Sequence, residues 1–169
     1  MTTVPLTDAE LRHVARAVGL AGEALGAGDE PFGSVLVNAE GEVLREARNL
    51  VRTTGDETQH PEFELARWAA GHLSPEERST CVVYTSGEHC PMCAAAHGWA
   101  GLGKIVYAHS SAELTQWLGE LGSAPPPVRP LGIQEVAPGL DVRGPVPAFT
   151  ERLRSMHRDL RTRAGSRRP

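Results

Sequence analysis

Residues 81–108, CVVYTSGEHCPMCAAAHGWAGLGKIVYA, decide the fold. The segment begins with an apolar run at 81–85 that is typical of a buried strand. A helix over 92–99 follows, opened by Cys90-Pro91 and stopped by glycines, because proline suits the first turn of a helix and glycine its end. A second strand is predicted at 104–108. Two strands joined by a helix predict a crossover that packs the helix on a sheet.

The chain on either side of this segment continues the pattern of strands and helices. A capping-box pattern at Thr7 and apolar residues at helical spacing predict a first helix from about 8 to 26. A β-hairpin, a polar loop, a helix opened by His60-Pro61 and two later helices follow. Together these elements predict a mixed α/β sandwich. Their predicted bounds are strands 34–38 and 42–47, loop 50–59, helix 112–121 and helix 147–163.

Length and composition restrict the class of protein. The chain has 169 residues, 40% of them hydrophobic and 22% charged, which is typical of one globular domain spanning 1–169. No apolar run approaches the roughly 18 residues that span a bilayer. Because residues 1–5 carry no basic start followed by an apolar stretch, we expect no export signal and a cytoplasmic location.

The charge is divided unevenly along the chain. Residues 1–150 carry 10 basic and 19 acidic side chains, whereas residues 151–169 carry 7 and 2. The acidic body argues against broad nucleic-acid binding and against a membrane partner. We interpret 145–169 as a C-terminal helix and basic tail, whose arginines either grip RNA or form a solvated helix face, the second being the commoner role of such a run.

Two short motifs supply the residue types of a metal centre. HPE at 60–62 is followed 28 residues later by CPMC at 90–93. Cys90 and Cys93 are three apart at a predicted helix start, so both sulfurs can reach one ion with His60. Three protein ligands leave the fourth position of zinc for water, which zinc makes acidic, and Glu62 is placed to move its protons. The alternative is a structural zinc site completed by Cys81 or His89.

These residues together resemble the cytidine deaminase superfamily, whose signature is H-x-E followed by P-C-x-x-C. The resemblance covers roughly residues 8–110 and is strongest to the branch with guanine, cytosine and tRNA adenosine deaminases. It rests on both motifs and on several flanking stretches. These are Pro31-Phe32-Gly33, the loop Asn49–Thr58 and the segment 85–93.

The resemblance implies a fold and a set of roles. The fold is a three-layer α/β/α sandwich with a central mixed sheet of about five strands. His60, Cys90 and Cys93 hold Zn²⁺, Glu62 is the catalytic proton shuttle, and relatives assemble as homodimers or larger oligomers. Asn49 is implied to hydrogen-bond the base, since a carboxamide offers both a donor and an acceptor.

Three further side chains are candidate substrate contacts. They are Phe32, His89 and Trp117, each of which can equally be an ordinary core or loop residue. The sequence departs from the family pattern at Pro61, where relatives have alanine or glycine and donate a backbone hydrogen bond to the base. His89 replaces the proline that usually precedes the first cysteine.

The predicted function is therefore zinc-dependent hydrolytic deamination of a small heterocycle, such as guanine, cytosine, a triazine analogue or a nucleoside, with release of ammonia. The small molecule is the expected partner. One alternative is a tRNA adenosine deaminase, which the basic tail would serve. A second is a noncatalytic binding module in which zinc only stabilises the fold.

Overall fold

The computed structural model describes residues 5–165 and contains a five-stranded sheet in the order β2-β1-β3-β4-β5. The first strand pairs antiparallel with β2 and β3, while β3, β4 and β5 are parallel to one another. The sheet is therefore mixed, as predicted. The strand bounds are Gly33–Val37, Val43–Arg48, Val82–Gly87, Lys104–His109 and Val142–Arg143.

Within the part of the chain that the structure describes, eight helices connect and cover these strands. The first, α1, begins after the predicted capping box, in which the Thr7 hydroxyl accepts from the backbone N–H of Glu10. In chain order, α1 to α8 span Asp8–Ala27, Val51–Thr54, Pro61–His72, Pro75–Thr80, Pro91–Ala100, Ser111–Glu120, Ile133–Val136 and Thr150–Gly165, with a 3₁₀ turn at Pro147–Phe149 before the last.

The two faces of the sheet carry separate apolar cores. Val35 and Val37 point to the face covered by α1 and α8, and Leu36 between them points to the face covered by α3. This alternation follows from the period of two in a strand. Each face is buried by helices, so the protein is a three-layer α/β/α sandwich, as expected from the sequence.

The carboxyl ends of β3 and β4 lie at the same edge of the sheet because the two strands are parallel. Glu88, one residue beyond β3, ties this edge to two helices. Its carboxylate accepts from the backbone N–H of Ser111 at 2.8 Å and of Ile133 at 2.9 Å. The amino ends of α6 and α7 are thereby held beside the end of β3, where carboxylates are favoured.

The predicted elements are confirmed with shifts of at most two residues, except for the start of the final helix and for the shortest segments. The predicted loop 50–59 contains the one-turn helix α2, and α4, α7 and β5 were not predicted. A two-residue strand and helices of four to six residues are too short to show a hydrophobic periodicity. The final helix begins at Thr150, after the 3₁₀ turn, and residues 166–169 of the basic tail lie outside the described residues.

No helix within residues 5–165 is both long enough and apolar enough to cross a membrane.

A substitution at Gly33 tests how closely α1 packs on β1. A Cβ at this position would lie 2.5 Å from the carbonyl oxygen of Ala17 and would also overlap Leu20. We expect Gly33→Ala to lower the free energy of unfolding by about 1–3 kcal/mol, as overpacking does. Urea denaturation measures the change. Gly26→Ala is the matched control, since a Cβ there meets nothing within 4 Å, and alanine in a helix should raise stability by up to about 1 kcal/mol. Equal effects of the two variants would contradict this packing.

Candidate active site

His60 and Cys90 occupy equivalent positions at the starts of α3 and α5. Each is the N-cap residue, in extended conformation, and each precedes a proline at the first helical position. Proline there costs no hydrogen bond and fixes the backbone angle that begins the helix. The two helices pack against each other, and their amino ends meet at the carboxyl edge of β3. The same local sequence feature, an N-cap residue followed by proline, therefore positions both side chains.

The three predicted metal ligands come together. The Nδ1 atom of His60 lies 3.6 Å from the Sγ atoms of both Cys90 and Cys93, and the two sulfurs are 3.5 Å apart. Ligands at about 2.0 Å (nitrogen) and 2.3 Å (sulfur) from a tetrahedral ion are themselves roughly 3.5–3.8 Å apart. The donor set and its spacing therefore fit a metal ion, and among the described residues this is the one cluster of its kind.

Glu62 lies beside the ligands without joining them. It is 5% exposed, and its Oε1 atom lies 3.0 Å from the hydroxyl of Thr85 on β3. Its Oε2 atom lies 3.8 Å from Sγ of Cys93. Thr85 thus fixes one carboxylate oxygen and leaves the other facing the ligand cluster.

Burial and close contacts shift the acidities of these groups. Burial raises the pKa of Glu62 to about 7. The hydrogen bond from Cys93 lowers the pKa of Cys90 to about 4, and the contact with Cys90 raises the pKa of His60 to about 9. Without a cation, one thiolate is therefore stabilised by its neighbours. A metal ion would replace those protons, since only the deprotonated forms are ligands.

Asn49 is fully buried at the end of β2. Its Oδ1 atom accepts from the backbone N–H of Val51 at 3.1 Å, and its own backbone N–H donates to the carbonyl of Phe32 at 3.0 Å. The Nδ2 atom has no hydrogen-bond partner within the described part of the chain. A buried amide donor without a partner is unusual and is available to a ligand.

Phe32 and Trp117 meet a pair of histidines that the sequence analysis did not single out. Phe32 lies 5.2 Å from His157 and 6.0 Å from His109, and Trp117 lies 5.1 Å from His109, measured between ring centroids. The four side chains, called the aromatic wall below, come from the loop before β1, from β4, from α6 and from α8. No motif links these positions in sequence, so only the fold reveals the wall.

His89 and Cys81 lie elsewhere. The ring of His89 is fully buried and packs edge-on against His97 of α5, with a centroid distance of 5.3 Å. Cys81 is 2% exposed in the apolar core between the sheet and α3, outside the ligand cluster. Neither residue is among the three metal-ligating groups, which disfavours a fourth protein ligand from either.

Comparison with protein families gives one match over most of this region. Residues 7–109 match the model described as the cytidine and deoxycytidylate deaminase zinc-binding region. The matched segment contains all three metal-ligating residues and Glu62. Of the aromatic wall, Trp117 and His157 lie beyond it.

Three named relatives are similar over more than half of the chain. A probable cytosine deaminase of Schizosaccharomyces pombe is 30% identical over 128 residues, 75% of this chain and 76% of its own length. The guanine deaminase of Bacillus subtilis is 42% identical over 94 residues, 55% of this chain and 60% of its own. A tRNA-specific adenosine deaminase of Agrobacterium fabrum is 33% identical over 100 residues, 59% and 65% of the two chains.

Solved structures are similar in fold. A guanine deaminase from Nitrosomonas europaea superimposes with a TM-score of 0.68 at 19% identity, covering 95% of this chain and 87% of the other. The guanine deaminase structure from Bacillus subtilis gives a TM-score of 0.56 at 28% identity, covering 79% and 91%. The first likeness covers nearly the whole chain.

The ligand cluster predicts a dependence of metal content on three side chains. We expect the purified protein to carry about one zinc ion per chain, and Cys90→Ala or His60→Ala to lose most of it, because two ligands hold zinc far more weakly than three. Elemental analysis by mass spectrometry measures the content. Cys81→Ala is the control, since this thiol lies outside the cluster. Loss of zinc from the control alone would contradict the assignment.

Proposed function

The chain belongs to the cytidine and deoxycytidylate deaminase family, and we propose that it is a zinc-dependent hydrolytic deaminase acting on a small free heterocycle. The proposed substrate is guanine, cytosine or a triazine analogue in preference to a nucleoside. The observation that carries the proposal is the buried carboxylate of Glu62 beside three converging metal ligands. A purely structural metal site has no need of a buried acid at its side.

The reaction exchanges an exocyclic amine for oxygen. Water adds to the ring carbon that bears the amine, the carbon–nitrogen bond breaks, and the products are a ring carbonyl and ammonia. Held by His60, Cys90 and Cys93, zinc would supply a water acidic enough to act as a nucleophile at neutral pH. Relatives named for guanine and cytosine deamination support this class of substrate.

Glu62 moves the protons in this scheme. Its Oε2 atom faces the ligand cluster, so it takes one proton of the attacking water there and delivers it to the ring nitrogen, and then moves the second water proton, from the new hydroxyl group, to the leaving amine. Thr85 keeps Oε1 in place during these transfers. Glu62 is returned to its starting state, because one proton of the water stays on the ring nitrogen and the other leaves with ammonia.

Asn49 and the aromatic wall are the proposed substrate contacts. The unpartnered Nδ2 atom of Asn49 donates to an acceptor on the ring edge. Phe32 and Trp117 supply flat apolar surface near the same edge of the sheet. Pro61 has no N–H to offer the base, so orientation depends more on Asn49. A direct contact of His89 with substrate stays a prediction, as its ring packs on His97.

The assembly and the compartment also stay predictions. A homodimer and a cytoplasmic location are expected from the sequence. Trp99 on α5 is 92% exposed, and a subunit contact is the kind of surface that would cover such a side chain.

Glu62→Gln tests catalysis against a noncatalytic module. We expect ammonia release to fall by a factor of about 10²–10⁴ or more, because the amide cannot carry the proton, while zinc content is unchanged. A coupled ammonia assay over free bases, nucleosides and triazines gives the rates. Glu64→Gln is the matched control, on the same helix turn but paired with Arg45 and Arg67 at the surface. A wild-type protein that releases no ammonia from any compound would contradict the proposal.

The second candidate is tRNA adenosine deamination, favoured by the relative from Agrobacterium fabrum. The contacts of α8 favour the small-molecule substrate instead. Arg154 pairs with Glu120, Arg161 pairs with Glu30, and Arg163 donates to the carbonyl of Leu25. These cations are engaged within the protein, and Leu153 and Leu160 of the same helix are core residues.

Charge substitution on α8 tests the RNA candidate without removing core residues. We expect the wild type to bind tRNA no more tightly than Arg152→Ala/Arg158→Ala, with little salt dependence, because the body of the protein is acidic. Fluorescence anisotropy at several salt concentrations measures both quantities. Tight, strongly salt-dependent binding that the double variant loses, together with inosine formation in tRNA, would establish the RNA candidate.

A further inference from the structure

His109 is one of two buried histidines of the aromatic wall with an unpartnered ring nitrogen among the described residues, the other being His157. It is the last residue of β4, fully buried, and its Nδ1 atom lies 3.3 Å from the carbonyl oxygen of Ser110. A carbonyl oxygen only accepts, so Nδ1 carries the proton of this hydrogen bond. Burial lowers the pKa of His109 to about 4, so the ring is neutral and has a single proton. Nε2 is therefore a lone-pair acceptor.

That acceptor has no donor from the protein. Nε2 of His109 is buried and lacks a hydrogen-bond partner anywhere in residues 5–165. His157, whose ring stands perpendicular to His109 at 5.5 Å, does not supply a donor through Nε2, since that atom is also unpartnered among the described residues. A buried acceptor left without a donor is unfavourable. A donor from a bound molecule would remove that cost.

The unpartnered edge of the ring lies against the carboxyl end of β3, the strand whose Thr85 hydrogen-bonds Glu62. A Cβ on Gly87 would lie 2.8 Å from Nε2 of His109, so this edge rests on Gly87 and only glycine admits it. The carbonyl of Gly87 lies 3.1 Å from the Thr85 hydroxyl, which in turn lies 3.0 Å from Glu62. Two short contacts through β3 therefore join the acceptor to the proposed catalytic acid.

The surroundings define which donor fits. Phe32, Trp117 and His157 enclose the ring of His109 and are buried or half-buried, and none is a lysine or arginine. Such a wall suits a flat neutral ring. A free base carries a ring N–H at the atom that bears the sugar in a nucleoside. That N–H is a hydrogen-bond donor that the nucleoside lacks.

Resting on the proposed deaminase function, we infer that Nε2 of His109 accepts a hydrogen bond from the ring N–H of a free base and thereby makes His109 a specificity-determining residue that selects free bases over nucleosides. Asn49 then donates a hydrogen bond to the ring through Nδ2, and His109 accepts one from it through Nε2. The two groups supply complementary polarity, which a nucleoside cannot match at the substituted nitrogen.

Methylated bases and His109 variants test this inference together. Guanine is compared with 9-methylguanine and cytosine with 1-methylcytosine, in which a methyl group replaces the ring N–H. We expect kcat/KM for the preferred free base to exceed that of its methyl analogue by tenfold or more. His109→Phe keeps a ring but removes the acceptor, so it should lower kcat/KM for the free base about tenfold. The ratio of kcat/KM between the free base and its methyl analogue should then also fall. His109→Gln retains an acceptor and should restore part of this ratio.

His13→Phe is the matched control, because this imidazole also packs on an aromatic ring, that of Tyr84, but on α1. It should leave the ratio unchanged. Equal rates on free and methylated bases, or a ratio that His109→Phe preserves, would overturn the inference and leave the deaminase function standing. A preserved ratio would show that the methyl group is excluded by size alone, or that water is the donor.

Binding measurements separate failure of the inference from failure of the proposed function. If no base is deaminated, the proposed function fails, and calorimetric titration of the Glu62→Gln variant with each base and methyl analogue then decides the inference. Binding that is tenfold tighter for a free base supports it, and equal or absent binding overturns it. Should His109→Phe not fold by circular dichroism, the wild-type ratio and His109→Gln give the decision.

Discussion

The structure depends on the meeting of two helix amino ends at one edge of the sheet. His60 and Cys90 are N-cap residues, each followed by proline, and α3 packs against α5 so that the caps face each other. The positive ends of both helices favour a thiolate and other negative charge between them. Because β3 and β4 are parallel, their carboxyl ends lie at this same edge. Glu88, just after β3, and His109, the last residue of β4, are therefore at this edge as well.

The family match and the aromatic wall draw on partly different segments of the chain. The family match ends at residue 109 and contains the metal ligands, Glu62 and Asn49. Trp117 and His157 come from helices after that point and close the aromatic wall. Relatives named for guanine, cytosine and tRNA adenosine deamination share the first part. We therefore expect substrate choice to be determined largely by what the last third of the chain adds to a common chemical centre.

The sequence predicted what local patterns encode. The spacing of His60, Cys90 and Cys93 follows from helix geometry, and the structure brings the three together as expected. The hairpin and the α1 cap were also readable, because turns and caps have short sequence signatures. The role of His109 and His157 was not readable, since they are 48 residues apart and meet only through the packing of α8 on the sheet. Glu88 was missed for the same reason: the two amides that it accepts from lie 23 and 45 residues away.

X-ray absorption at the zinc edge measures the central claim most directly, because it reports the atoms bound to the ion in the protein as purified. The account predicts two sulfur atoms at about 2.3 Å and two nitrogen or oxygen atoms at about 2.0 Å, the second light atom being exchangeable solvent. Three or four sulfur ligands, or a shell filled by protein side chains alone, would contradict it, since no position would then remain at which Glu62 could act on water.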